Sequence, residues 1–345
     1  MVMVKHFFGE FIHVEIFWTS IDLLFTLSGL LITGILIETK EDPLYFRKFY
    51  MRRILRIFPL YYLLILLFSI YVFAISSHPE VFAYFKSNIV YFLTYTQNWY
   101  YIHDGLPPAG HLNHTWSLAV DEQIYIVWPF LIWLCKTPKQ LIYLTITTIL
   151  FSFLYRIGYN IYIDHVGSIH PYPSFFNTFC RLDSFATGSL LYCLLRFKPE
   201  FLTAKIMGFV FFISLFLLMA LCWGDHSFEL TGYYMRNYGY TIAGIHFSTW
   251  FYFGVKNNFQ ILNKLFGNKF LVYTGKISYS LYVFHWFLLI LLLPRISNLL
   301  ICLTGIRSML ISITICFIVT FLISILSYEY FEKPIIKLKR KFSYR

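Results

Sequence analysis

SIDLLFTLSGLLITGIL, residues 20–36, holds a single charged side chain, Asp22, among apolar and small residues. The apolar run extends over 20–37, close to the roughly 20 residues a helix needs to cross the hydrocarbon of a bilayer. Working outward, runs of the same character recur at 57–76, 116–134, 140–157, 182–197, 205–223, 238–255, 277–293 and 309–328. Backbone polar groups in lipid must be satisfied within their own segment, so each run reads as a helix. The pattern predicts an all-α, polytopic integral membrane bundle with nine visible spans. Composition agrees. Of 345 residues, 58% are hydrophobic, 22% aromatic and 13% charged, against about 25% charged in an ordinary soluble domain. A soluble enzyme, a disordered chain and a disulfide-framed secreted module are excluded on this basis. The six cysteines form no CxxC pair and most lie in or beside apolar runs, where Cys packs as a small hydrophobe. Neither a disulfide framework nor a bound metal is expected.

The formal charge is +11. Its distribution points to membrane topology, not nucleic acid. Segments 38–56, 135–139, 196–205, 256–276 and 333–345 hold 21 of the 28 Lys and Arg, and the alternate segments hold 7. The positive-inside rule places the first set, and with it the C-terminus, in the cytoplasm. Nine spans then put residues 1–19 outside, yet that stretch lacks the apolar core of a signal peptide. The expectation is a tenth span of which 1–19 is the remnant. The chain reads as one membrane domain over 1–345, with 38–56 a cytoplasmic basic loop and 333–345 a cytoplasmic tail.

Three constellations carry chemistry. HTWSLAVDEQIYIVWP (114–129) sets Asp121 and Glu122 inside an apolar helix, where acids are costly and face a bundle interior or a wet cavity. His114, Ser117, Asp121 and Tyr125 share a face at spacings of three, four and four. Glu122 falls about 9 Å below Trp116. FYMRRILRIFPLYY (49–62) places Arg53 and Arg56 on one helix face, flanked by Arg52. Guanidinium forks suit phosphate, and the plain alternative is a positive-inside anchor. ISYSLYVFHW (277–286) carries a stripe of Ser278, Tyr282 and His285, whose plain alternative is a packing histidine. Asp22 needs a buried partner, and Arg181 and Asp183 could pair with each other. No Walker motif, GxSxG or HExxH is present.

Together with RLDSFATGSLL (181–191) and SYEYFEKPIIK (327–337), these stretches resemble, in chain order, the membrane acyltransferase 3 family. The resemblance covers essentially the whole chain, and 114–129 is its most specific part. It implies ten spans, the first ending in a functional histidine that His6 matches. The first span's Arg and most of its helix are absent here, and Asp121 stands where the family commonly has Glu. The resemblance also implies a bacterial inner-membrane enzyme that takes an acyl group, usually acetyl, from acyl-CoA on the cytoplasmic side. The acceptor is a hydroxyl of a cell-envelope carbohydrate such as an O-antigen. On that reading Arg53 and Arg56, with Arg52, hold the CoA phosphates. His6 is the general base, oriented by a carboxylate from Glu122, Asp121 or Asp22. His114, Trp116 and Ser117 line the acceptor entrance, joined by Tyr125, Arg181, Asp183 and His285. The donor is a substrate, and no cofactor is permanently bound. A transporter or flippase also suits buried acids and histidines, but no paired repeat halves are visible. An inactive truncated copy is the third reading.

Overall fold

The computed structural model describes residues 2–9, 15–75, 79–108, 110–167, 173–227, 229, 232–256, 267–300 and 306–344, and every regular element among them is helical. In chain order these are α1 (Val2–Phe8), α2 (Ser20–Glu38), α3 (Tyr45–Ile70), α4 (Pro79–Leu93), α5 (Gln97–Asp104), α6 (Trp116–Leu134), α7 (Pro138–Val166), α8 (Pro173–Phe176), α9 (Leu182–Phe197), α10 (Ala204–Asp225), α11 (Tyr240–Val255), α12 (Lys269–Lys276), α13 (Ser278–Leu299), α14 (Ile306–Leu326) and α15 (Lys333–Lys337). Each of the nine apolar runs falls on one of these helices. Seven helices among the described residues are long and apolar enough to cross a membrane. The protein is therefore a polytopic helical membrane protein. The two runs below that threshold, α9 and α11, are helices of 16 residues. Residues 183–189 of α9 are all buried, so this helix is wrapped by its neighbours and carries small and polar residues in place of a long apolar coat. Lipid-facing helices look different. Phe209, Phe212 and Phe216 of α10 stand exposed along one stripe, as helical spacing dictates.

Local chemistry sets the boundaries. Thr137 caps α7 through Gln140, the Gln140 side chain returns the bond, and Pro138 occupies the first turn, the reciprocal arrangement that starts helices. Residues 38–56 are not the loop expected. Helix α3 begins at Tyr45 and carries Arg52, Arg53 and Arg56 as helical residues. Pro59 sits inside this helix without ending it. In α6, Pro129 likewise stays inside the helix. A proline removes one ladder bond and loosens the carbonyls before it. Here Tyr50 donates to the Ile126 carbonyl at 2.8 Å and Tyr45 to that of Pro129 at 3.1 Å. The start of α3 is thereby bound to the far end of α6.

Helices α2 and α9 cross in backbone contact. A Cβ on Gly29 would stand 1.8 Å from the Phe185 carbonyl oxygen, and one on Gly188 would stand 1.9 Å from that of Thr26. Small residues at such a crossing are how helices associate in lipid. Hydrogen bonds from Thr26 to the Ser184 carbonyl (3.0 Å) and from Thr33 to Ser189 (2.8 Å) complete it. This seam holds α2 against the core and leaves its opposite face to line the cavities described next.

Candidate active site

Helix α1 is held against α14 by Phe7, whose ring meets Phe317 edge-on at 5.6 Å. That contact sets His6 on α13. His6 Nδ1 lies 2.8 Å from His285 Nε2, and the two ring planes are within 6° of parallel with their centroids 5.1 Å apart. His285 Nδ1 lies 2.6 Å from the Tyr282 carbonyl. His114 joins from the short 3-10 turn just ahead of α6, its Nε2 3.0 Å from the Val283 carbonyl and its ring centroid 5.2 Å from that of His285. Tyr282, His285 and Trp286 share one face of α13 at spacings of three and one, so a single turn supplies a hydroxyl, an imidazole and an indole. His6 and His114 line a cavity of about 450 Å³ whose other walls include Trp18, Trp116, Phe175 and Trp286.

A second cavity of about 440 Å³ runs between α2, α6 and α13 and includes Arg53, Ser28, Ser117 and Asp121 in its lining. Arg53 lies 5.1 Å over the Tyr125 ring, and Tyr125 is hydrogen-bonded to Ser28. Asp121 and Glu122 both lie in the field of Arg53. Being adjacent on a helix, they point about 100° apart. Asp121 lines the cavity and Glu122 does not; Glu122 lies in electrostatic range of Tyr61, Tyr62, Tyr95 and Tyr279. Arg56 lies 5.9 Å over Tyr279, a residue on the wall of the same cavity. Arg52 turns away, to the carbonyls of Lys339 and Phe342 at 3.5 and 3.4 Å and to the Tyr344 ring at 4.8 Å. The two cavities adjoin, with Val2, Ser20, Ile21 and Tyr282 on the walls of both. The Tyr282 hydroxyl is held there by the His114 carbonyl at 2.8 Å and by Ser117.

Several expected partners are exchanged. His6 is bonded to an imidazole, and among the described residues no carboxylate reaches it, because Asp121, Glu122 and Asp22 all lie on helix faces directed elsewhere. Arg181 does not pair with Asp183. Arg181 Nη2 meets Asp22 at 2.8 Å, and Arg156 Nη1 meets Asp183 at 2.7 Å, with all four side chains fully buried. Ser184 also donates to Asp22 at 2.5 Å, and Arg156 reaches the Cys180 and Asn237 carbonyls at 2.7 and 3.1 Å. Asp22, Arg181 and Asp183 thus form a buried charged layer and line neither cavity. Arg156 and Trp286 were not singled out by sequence. The signal for Arg156 was its place at the end of an apolar run, where an arginine needs a partner. That for Trp286 was its helical spacing from Tyr282. Among the described residues no group of three or more His, Cys, Asp or Glu is placed to hold a metal ion.

The sequence profile of the acyltransferase 3 family, described as an acyltransferase domain, matches residues 4–329. A peptidoglycan O-acetyltransferase, OatA, of Listeria monocytogenes is 26% identical over 353 residues, covering 94% of this chain and 53% of that protein. An O-acetyltransferase, OatA, of Staphylococcus aureus strain NCTC 8325 is 27% identical over 305 residues, covering 79% of this chain and 47% of that protein. A putative O-acetyltransferase of Staphylococcus aureus strain COL is 28% identical over 292 residues, covering 77% of this chain and 45% of that protein. The chain spans about half the length of these curated relatives. No solved structure matches it.

Proposed function

Because this chain belongs to the acyltransferase 3 family, we propose that it is a membrane O-acetyltransferase acting on a bacterial cell-envelope glycan, with acetyl-CoA as donor. The observation that carries this reading is the adjoining pair of cavities, with the Arg53 guanidinium at one end and Arg56 beside it over Tyr279, imidazoles at the other and a shared wall between. Such a passage suits a donor that is polyanionic at one end and carries its reactive carbonyl at the end of a long thin arm. Arg53 and Arg56 receive the phosphates of CoA. The arm lies along the apolar wall formed by Leu24, Leu27 and Leu31 of α2, and the thioester comes to the shared wall. The aromatic sides of the outer cavity, Trp18 and Trp116 among them, present flat apolar faces to a sugar ring. The name of the Listeria relative supports peptidoglycan as the acceptor. The names of the relatives do not support O-antigen, and that expectation is replaced. The arginine end is cytoplasmic on this reading, since the basic segments 38–56 and 333–345 meet there through Arg52. The nine helices over the apolar runs all count as spans, α9 and α11 as short interior ones.

Chemically, His6 takes the proton of the acceptor hydroxyl as its oxygen attacks the thioester carbonyl. The C–O bond forms, the C–S bond breaks, and the leaving thiolate takes that proton from His6 to become the free thiol. The test is transfer of labelled acetyl from acetyl-CoA to glycan by membranes carrying this protein. Removing a general base costs about 100- to 10,000-fold, so His6→Ala should lower kcat within that range. Each charge-assisted bond is worth about 1.5–3 kcal/mol, so Arg53→Ala with Arg56→Ala should raise the KM for acetyl-CoA at least about tenfold. Glycan movement with no consumption of acetyl-CoA would make the protein a carrier and end this reading.

A further inference from the structure

A backbone carbonyl only accepts hydrogen bonds. The nitrogen of His285 that lies 2.6 Å from the Tyr282 carbonyl, Nδ1, therefore carries a hydrogen. His285 is fully buried, and among the described residues no carboxylate is bonded to it. A buried imidazolium without a counter-charge is strongly disfavoured, so the ring is neutral and its Nε2 holds a lone pair. That lone pair faces His6 Nδ1 at 2.8 Å, which makes His6 Nδ1 the donor. His6 Nε2 is then the bare nitrogen. The groups acting on His6 from other elements are His285 and His114, and Lys5 acts from its own helix. Glu229 lines the same cavity. His114 is fixed in the other tautomer, with Nε2–H toward the Val283 carbonyl and its buried Nδ1 without a partner among the described residues.

We propose that His285 is a positioning residue which sets the tautomer of His6, so that His6 presents an unprotonated Nε2 to the acceptor hydroxyl. This rests on the reading of His6 as general base. Triads commonly use a carboxylate for this task. Here a neutral imidazole performs it, itself oriented by a main-chain carbonyl one helical turn back. When His6 takes the hydroxyl proton at Nε2, its Nδ1–H stays bonded to His285. When the thiolate leaves, the same proton returns through Nε2. His285 gains and loses no proton in the cycle. It orients and does not relay.

The experiment compares His285→Gln with His285→Lys. The Gln side-chain carbonyl falls where Nε2 stands and accepts, whereas Lys only donates. A wrong tautomer costs up to about 10,000-fold in a triad enzyme, so His285→Lys should lower kcat by about 1,000-fold while His285→Gln lowers it by about tenfold. The KM for acetyl-CoA should stay within about threefold in both, because neither residue touches the arginine end. Solid-state nitrogen-15 spectra of histidine-labelled wild-type protein should show His6 with its hydrogen on Nδ1, a readout that needs neither variant to fold. Equal losses in the Gln and Lys variants, or a hydrogen on His6 Nε2 in the wild type, would overturn the role of His285. Unchanged transfer by His6→Ala would instead remove the base reading beneath it, whatever the His285 variants do.

Discussion

At the level of single residues, four of the costliest groups in this molecule are the buried charges Arg156, Asp183, Arg181 and Asp22, and each of these is answered by a partner distant in sequence. Arg156 and Asp183 are 27 positions apart, and Arg181 and Asp22 are 159 apart. Removing one member of a buried pair strands the other, at about 3–5 kcal/mol. Arg156→Met should accordingly lower the thermal midpoint of the detergent-solubilised protein sharply, and adding Asp183→Leu should recover a large part of the loss, since two apolar residues can replace a buried pair nearly neutrally. A midpoint unaffected by Arg156→Met would mean that the pair contributes nothing. The sequence shows that Asp22, Arg181 and Asp183 need partners but not which ones. Sequence proximity favoured Arg181 with Asp183. They are two residues apart at a helix start, so they point to different sides, and the helix packing decides the exchange. His285 follows the same logic. Its polar stripe with Tyr282 is legible from spacing, but the contact with His6 spans 279 positions and depends on where α1 docks.

For helices, the apolar runs were enough to find the seven long and apolar enough to cross a membrane, because length and hydropathy are local properties, but they passed over the 15-residue α4. The ends were less legible. Helix α3 starts well before its apolar run, because the arginine-rich stretch ahead of Pro59 is a good helix former and the tyrosine bonds to α6 hold it in place. The crossing of α2 and α9 yields a sharp test. Gly29→Ala or Gly188→Ala would drive a Cβ into a facing carbonyl, so either should reduce the yield of folded protein or force the helices apart. Gly158, inside α7, has no heavy atom within 4 Å of where its Cβ would lie. Gly158→Ala should stabilise by about 0.5–1 kcal/mol, the ordinary helix preference of Ala over Gly. If all three substitutions behaved alike in a thermal-melt series, close approach at the crossing would not be what those glycines supply.

Across the whole molecule, charge and apolar runs made the membrane class and the basic end readable from sequence. The passage between the two ends was not, because it is built from four side chains that the sequence scatters over α1, α2 and α13. Among the described residues, Val2, Ser20, Ile21 and Tyr282 are the ones on the walls of both cavities. Such a collar is a bottleneck, and a bottleneck can be plugged without damage to what lies on either side of it. Ile21→Trp should leave acetyl-CoA and glycan each bound at its own end with little change in affinity, while turnover stops. The enzyme would then be fully loaded and idle, held in a standing deadlock in which donor and acceptor are caught a few ångströms short of meeting.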